Sequence, residues 1–221
     1  MKRLFTACAV LTLAACSPPP AAPVQDAAKP AAAPASTAPA GAYTVDHSHA
    51  SVVFEVNHLG FSHYTAGFDK LDGKLAFDPA NPAAMTVEAT IDVASLDVNT
   101  PPAGFLDELL GTMFFDAKQF PTITFKSTKV EPTGPATAKV TGDLTLHGVT
   151  KPVTLDATFN GGWSANAYDG NRVGFSAKGV LKRSDFGMGV GLPAPGTTMG
   201  VFDDVDVAIE AEFSNGEKTA G

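Results

Sequence analysis

Residues 140–159 constrain the fold more than any other stretch. Val140, Gly142, Leu144 and Leu146 fall on one parity, and Thr141, Asp143, Thr145 and His147 on the other. A period of two with one apolar side is the pattern of a half-buried strand. His147-Gly148 and then Lys151-Pro152 punctuate it. Val153, Leu155, Ala157 and Phe159 then resume the alternation. Two such runs joined this tightly make an antiparallel hairpin.

The same texture recurs along the chain. Val52, Phe54, Val56 and His58 alternate with Ser51, Val53, Glu55 and Asn57. Phe68, Leu71, Leu75 and Phe77 follow, with a parity slip near Lys70 that predicts a bulge. Further alternating runs carry Met85 to Val93, Ile123 and Phe125, Val173 to Leu181, and Val205 to Phe213. Residues 104–116 break the pattern: Phe105, Leu109 and Phe115 have helical spacing after Pro101-Pro102, which predicts a helix of about three turns. Gly161-Gly162 and Asp169-Gly170 read as a glycine-rich loop. The sum is an all-β domain over residues 42–214, with about eight short antiparallel strands, one short helix and a tail at 215–221. Such strands suit a sandwich or a barrel. The barrel is the preferred reading, because strand glycines at 67, 73, 142, 174 and 179 let a sheet bend or leave space beside it. A barrel of eight strands is the size that holds one small ligand.

Outside that domain the composition changes. Met1-Lys2-Arg3 is a basic start, and the apolar run that follows is too short to span a bilayer. Residues 1–15 read as a lipoprotein signal peptide. Leu13-Ala14-Ala15-Cys16 has the form of a bacterial lipobox, which makes Cys16 the site of lipid attachment. Two or more acyl chains there would hold the protein on a membrane without spanning it. Residues 16–41 are rich in Pro and Ala and cannot bury a core, so they read as a tether reaching roughly 70 Å. Ser17 after the cysteine resembles lipoproteins sent to the outer membrane, which places the domain in the periplasm. The cysteines are Cys8, inside the signal, and Cys16, so a disulfide plays no part in the domain. A net charge of −8 argues against a nucleic-acid partner.

Five motifs in order resemble the YceI-like family of bacterial exported proteins. They are Tyr43-Thr44-Val45-Asp46 with His49 and His58-Leu59-Gly60; Gly67-Phe68; Phe114-Phe115-Asp116 with Phe120-Pro121; residues 142–153; and Arg183-Ser184-Asp185-Phe186-Gly187-Met188. The resemblance implies a lipocalin-like antiparallel β-barrel with a long apolar pore. It implies binding of an isoprenoid, a quinone or a fatty-acid-type lipid, and it allows a homodimer. Many members carry Arg-Asp-x-His-Leu at the helix; here Phe105, Leu106, Asp107, Glu108 and Leu109 stand there, so the Arg and the His are missing.

Phe54, Val56, Phe68, Ile123, Phe125, Leu144, Leu146, Phe175 and Leu181 are the expected pore lining, and His58, Arg183 and Asp185 the polar mouth candidates. No metal or other cofactor is expected: His49 and His58 sit roughly 30 Å apart on a straight strand, too far to share an ion. No Ser-His-Asp or paired-carboxylate arrangement stands out, and Gly187-Met188-Gly189-Val190-Gly191 lacks the Lys and helix of a phosphate loop, so an enzyme is not expected. The functional expectation is a membrane-tethered periplasmic carrier. Its rival is a stress-response or interaction module whose barrel is filled by its own side chains.

Overall fold

The structure, a computed structural model, describes residues 36–166 and 168–216. The expected signal peptide, Cys16 and most of the expected tether lie outside the described residues. The chain opens with β1 (Gly41–His58), β2 (Ser62–Phe68), β3 (Leu71–Phe77), β4 (Thr86–Asp92) and β5 (Leu96–Val98). After α1 (Phe105–Leu109) come β6 (Thr122–Pro132), β7 (Thr137–Leu146), β8 (Val149–Trp163), β9 (Asn171–Lys182) and β10 (Val201–Asn215).

Every neighbouring pair is antiparallel, and β1 pairs with β10, so the sheet closes on itself. Two staves are each built from two segments: β2 and β3 are broken at Asp69-Lys70, and β4 and β5 by a turn at Val93–Ser95. That gives a closed eight-stave barrel. The two breaks are stitched together. Asp69 and Lys70 donate backbone N–H groups to the carbonyl and the hydroxyl of Ser95, each at 3.1 Å. The bulge anticipated near Lys70 is therefore a break shared by two adjacent staves.

The hairpin of residues 140–159 forms with Leu146 opposite Val149, leaving a two-residue turn. His147 (φ 50°) and Gly148 (φ 75°) both take the left-handed region, as a turn matched to strand twist requires. Gly148 is fixed by packing too, since a Cβ there would lie 2.4 Å from the Phe120 ring.

Three local expectations change. The helix runs only over Phe105–Leu109, because Gly111 follows its cap and the chain folds back, with Phe115 N–H bonding the Leu109 carbonyl at 3.0 Å. Gly161 and Gly162 lie inside β8, at a bulge against β9, rather than in the loop beyond it. The strands are also longer than short runs suggest: β1 has 18 residues.

That length carries a bulge. Between Val45 and Ala50 the register against β10 slips, and an ion cluster ties the extra residues down. Arg172 on β9 donates from Nη1 to Asp46 at 2.7 Å and to Glu212 at 2.6 Å, and from Nε to Asp169 at 2.6 Å. The Ser48 hydroxyl and the Arg172 guanidinium hold the Asp46 carboxyl well below the usual carboxylate range. An acid with a depressed folded-state pKa contributes stability above its unfolded value, near about 4, and loses it as pH falls further. Unfolding midpoints measured from pH 8 to pH 2 should thus stay level to about pH 4 and then drop. Asp46→Asn should flatten part of that drop; an unchanged acid limb would remove Asp46 from the explanation.

Candidate functional site

The inward parity of the staves builds the site. Phe54 and Val56 of β1, Ile123 and Phe125 of β6, Leu144 and Leu146 of β7, and Leu181 of β9 all line a cavity of about 600 Å³. Phe68 lines the same cavity, as do Phe105 and Leu109 of α1. Phe175 lines a second cavity of about 410 Å³ nearer the opposite end of the barrel. Phe125 lines both, together with Val52, Ile91, Leu155 and Ile209. The two spaces therefore adjoin inside one barrel, with these five residues forming the waist between them.

Burial separates a lumen from a solid core. Phe54, Phe125, Leu144, Phe175, Leu181 and Ile209 point inward, yet none of them is fully buried. The surface they expose faces the cavities they line. Tyr43, Val93, Val173 and Phe186, by contrast, are almost completely covered. In the smaller cavity the wall is aromatic: Phe77 stands 5.8 Å from Phe159 and 6.4 Å from Phe175, and Phe175 stands 6.2 Å from Phe213, measured between ring centres.

The polar groups fall in three different places. His58, at the end of β1, lines the larger cavity and is exposed. Arg183 also lines it but is buried, and its guanidinium is already engaged. It donates to the carbonyls of Phe202 (2.9 Å), Met188 (2.6 Å), Val190 (2.8 Å) and Val201 (2.6 Å). Burial lowers its pKa from the ordinary arginine value. Its geometry is that of a clamp on the connection between β9 and β10. Asp185 lies off the lining; it faces outward and accepts a 2.7 Å bond from Lys151. Of the mouth candidates, then, His58 is the one with a side chain free to meet a guest.

The search for metal ligands leads away from the lumen. Among the described residues, Asp46, His49 and Glu212 bring ligand atoms within 4.8 Å of one another. Arg172 already bonds both acids there, so a guanidinium occupies the place of a cation. Of the remaining histidines near the start of the domain, His47 pairs with Asp72 at 3.3 Å, and His58 ends β1 at the larger cavity.

Sequence reasoning missed most of the smaller cavity. Leu75, Val87, Phe159 and Phe213 line it, and each sits on the apolar parity of its strand; Val45 lines it from the opposite parity of β1, turned inward by the register slip that follows it. Extending the parity rule through β3, β4, β8 and β10 would have found those four, whereas the bulge in β1 hides Val45 from it. The share taken by α1 carried no such signal, because a turn of five residues has too little periodicity to define a face.

A closed antiparallel barrel around an apolar lumen defines a class: barrels that enclose a small guest. The chain belongs to the YceI-like family, whose YceI-like domain model matches residues 43–213. A UPF0312 protein of Vibrio cholerae is 39% identical over 172 residues, covering 77% of this chain and 85% of that protein. The crystal structure of BcnA from Burkholderia cenocepacia superposes with a TM-score of 0.64 at 30% identity, over 76% of this chain and 98% of that one. A polyisoprenoid binding domain from Saccharophagus degradans, implicated in plant cell wall breakdown, shares the fold with a TM-score of 0.59 at 14% identity. That alignment covers 79% of this chain and 98% of the domain.

Proposed function

We propose that the protein binds and carries an isoprenoid or similar long-chain amphiphile in its lumen. The observation that carries this is the row of inward phenylalanines and aliphatics left partly uncovered along two adjoining cavities. The likeness of the fold to that of a polyisoprenoid binding domain supports it. An uncharged head group suits the lumen best, because the guanidinium on the lining is taken up by backbone carbonyls. That favours an isoprenoid or a quinone over a fatty-acid anion.

In this reading Cys16 anchors the domain to the outer membrane, and the Pro/Ala-rich tether lets it move through the periplasm. Each isoprene unit is worth about 4 kcal/mol gross on leaving water. A guest taken from a bilayer is already out of water, so exchange between bilayer and lumen is nearly balanced. Near balance suits a carrier, which must release what it takes up.

The test is the mass of whatever copurifies. Protein extracted from its host's membranes with gentle detergents should carry a lipid in a native mass spectrum and in a solvent extract. An empty barrel across several such detergents would defeat the proposal.

A further inference from the structure

We propose that the waist between the two cavities is a length selector. Two wall glycines set its bore, and the bore decides how long an uncharged isoprenoid chain the barrel admits. The inference rests on the lumen being a lipid site.

Two large residues of the waist, Phe125 and Leu155, line both cavities. Each is recessed over a glycine. A Cβ on Gly142 would lie 2.4 Å from Phe125 Cζ, and a Cβ on Gly179 would lie 2.6 Å from Leu155 Cδ2. Both distances are far inside van der Waals contact. Any other residue at either position would therefore drive the ring or the leucine tip out of its recess. The wall and the backbone stand behind them, so the free direction is the lumen.

The two glycines differ in how cleanly they can be tested. At Gly142 a Cβ would also meet the Lys126 carbonyl at 2.6 Å, so a substitution there would strain the backbone as well. At Gly179 the nearest atom is the end of a flexible side chain, and the next is the Thr154 carbonyl at 3.3 Å. Gly179→Ala therefore acts mainly through Leu155.

Length follows from strand geometry. The β10 segment from Ile209, at the waist, to Val201, at the far end of the larger cavity, runs about 26 Å at the usual rise per residue. At ordinary barrel tilt that is roughly 20 Å along the axis. An extended isoprene unit has four main-chain carbons and spans about 5 Å. The larger cavity thus takes a chain of about four units. A longer chain must pass the waist and occupy the smaller, phenylalanine-walled cavity.

The experiment compares farnesol, with three isoprene units, and hexaprenol, with six, both offered from detergent micelles. Occupancy is read by native mass spectrometry for the wild-type protein, Gly179→Ala and Ile209→Trp, each checked for its thermal transition. The wild type should take both alcohols. In each variant the ratio of hexaprenol to farnesol affinity should fall at least about tenfold, the scale on which one or two methylenes in a pocket discriminate. Gly179→Ala adds a single methyl, so it keeps the test informative where the bulkier Ile209→Trp does not fold. A ratio equal to that of the wild type in folded variants would overturn the length selector. A wild type that takes neither alcohol would overturn the lipid reading beneath it, which is a different failure.

Discussion

Replacing Arg183 with alanine is expected to cost the domain about 3–5 kcal/mol, because it strips four main-chain carbonyls of their donor at once. The residue is buried, and its guanidinium donates to the carbonyls of Met188, Val190, Val201 and Phe202. Each carbonyl left buried without a donor loses about 1–3 kcal/mol, less whatever water can restore in the space vacated. For a domain of this size the midpoint of thermal unfolding should fall by about 6–20 °C. Arg183→Lys should recover little, because one ammonium cannot reach acceptors that a planar fork reaches together. Thermal and urea unfolding of both variants measure this. A loss below about 1 kcal/mol would mean that the connection between β9 and β10 holds its shape without the clamp.

The second large effect separates a lumen from a filled core. Phe77 is buried and packs edge-on against Tyr43, with ring centres 5.7 Å apart, and stacks on Phe159. Phe77→Ala should cost about 3–5 kcal/mol, as for other core phenylalanines. Phe125 also points inward but faces cavity on part of its surface. With fewer neighbours to lose, Phe125→Ala should cost no more than about 2 kcal/mol while weakening lipid retention. Urea unfolding of the two variants, alongside the lipid content of each as purified, gives both numbers. A barrel filled by its own side chains would instead show equal losses at Phe77 and Phe125 and no change in lipid content.

The contrast between these residues shows what the sequence makes legible. Parity alone put Phe54, Phe125, Leu144 and Phe175 on the inner face, because a strand offers a side chain only two directions. It could not tell Phe77 from Phe125, since alternation records which face a residue occupies and not how much of the side chain its neighbours cover. The turn at His147 and Gly148 was readable because two left-handed residues in succession need particular side chains. Arg183 shows the opposite case. Its charge suggested a partner for a guest, but its acceptors are main-chain carbonyls, which every residue has and no sequence pattern marks. The Arg172 cluster was hidden for a further reason: Asp46, Asp169 and Glu212 come together only when the first and the last strands meet.

That meeting of β1 and β10 has a consequence in time. Val52 faces Ile209 and Val56 faces Val205, so the seam joins the start of the domain to its end. Contacts of such high sequence separation form slowly, after the cost of closing the intervening chain has been met. While β10 is still being synthesised, β1 has an unpaired edge and the lumen has no final wall. An emerging chain is thus kept from completing its fold until its last strand is free. Under the proposed periplasmic placement, that delay would keep the chain threadable for as long as a translocation channel needs it.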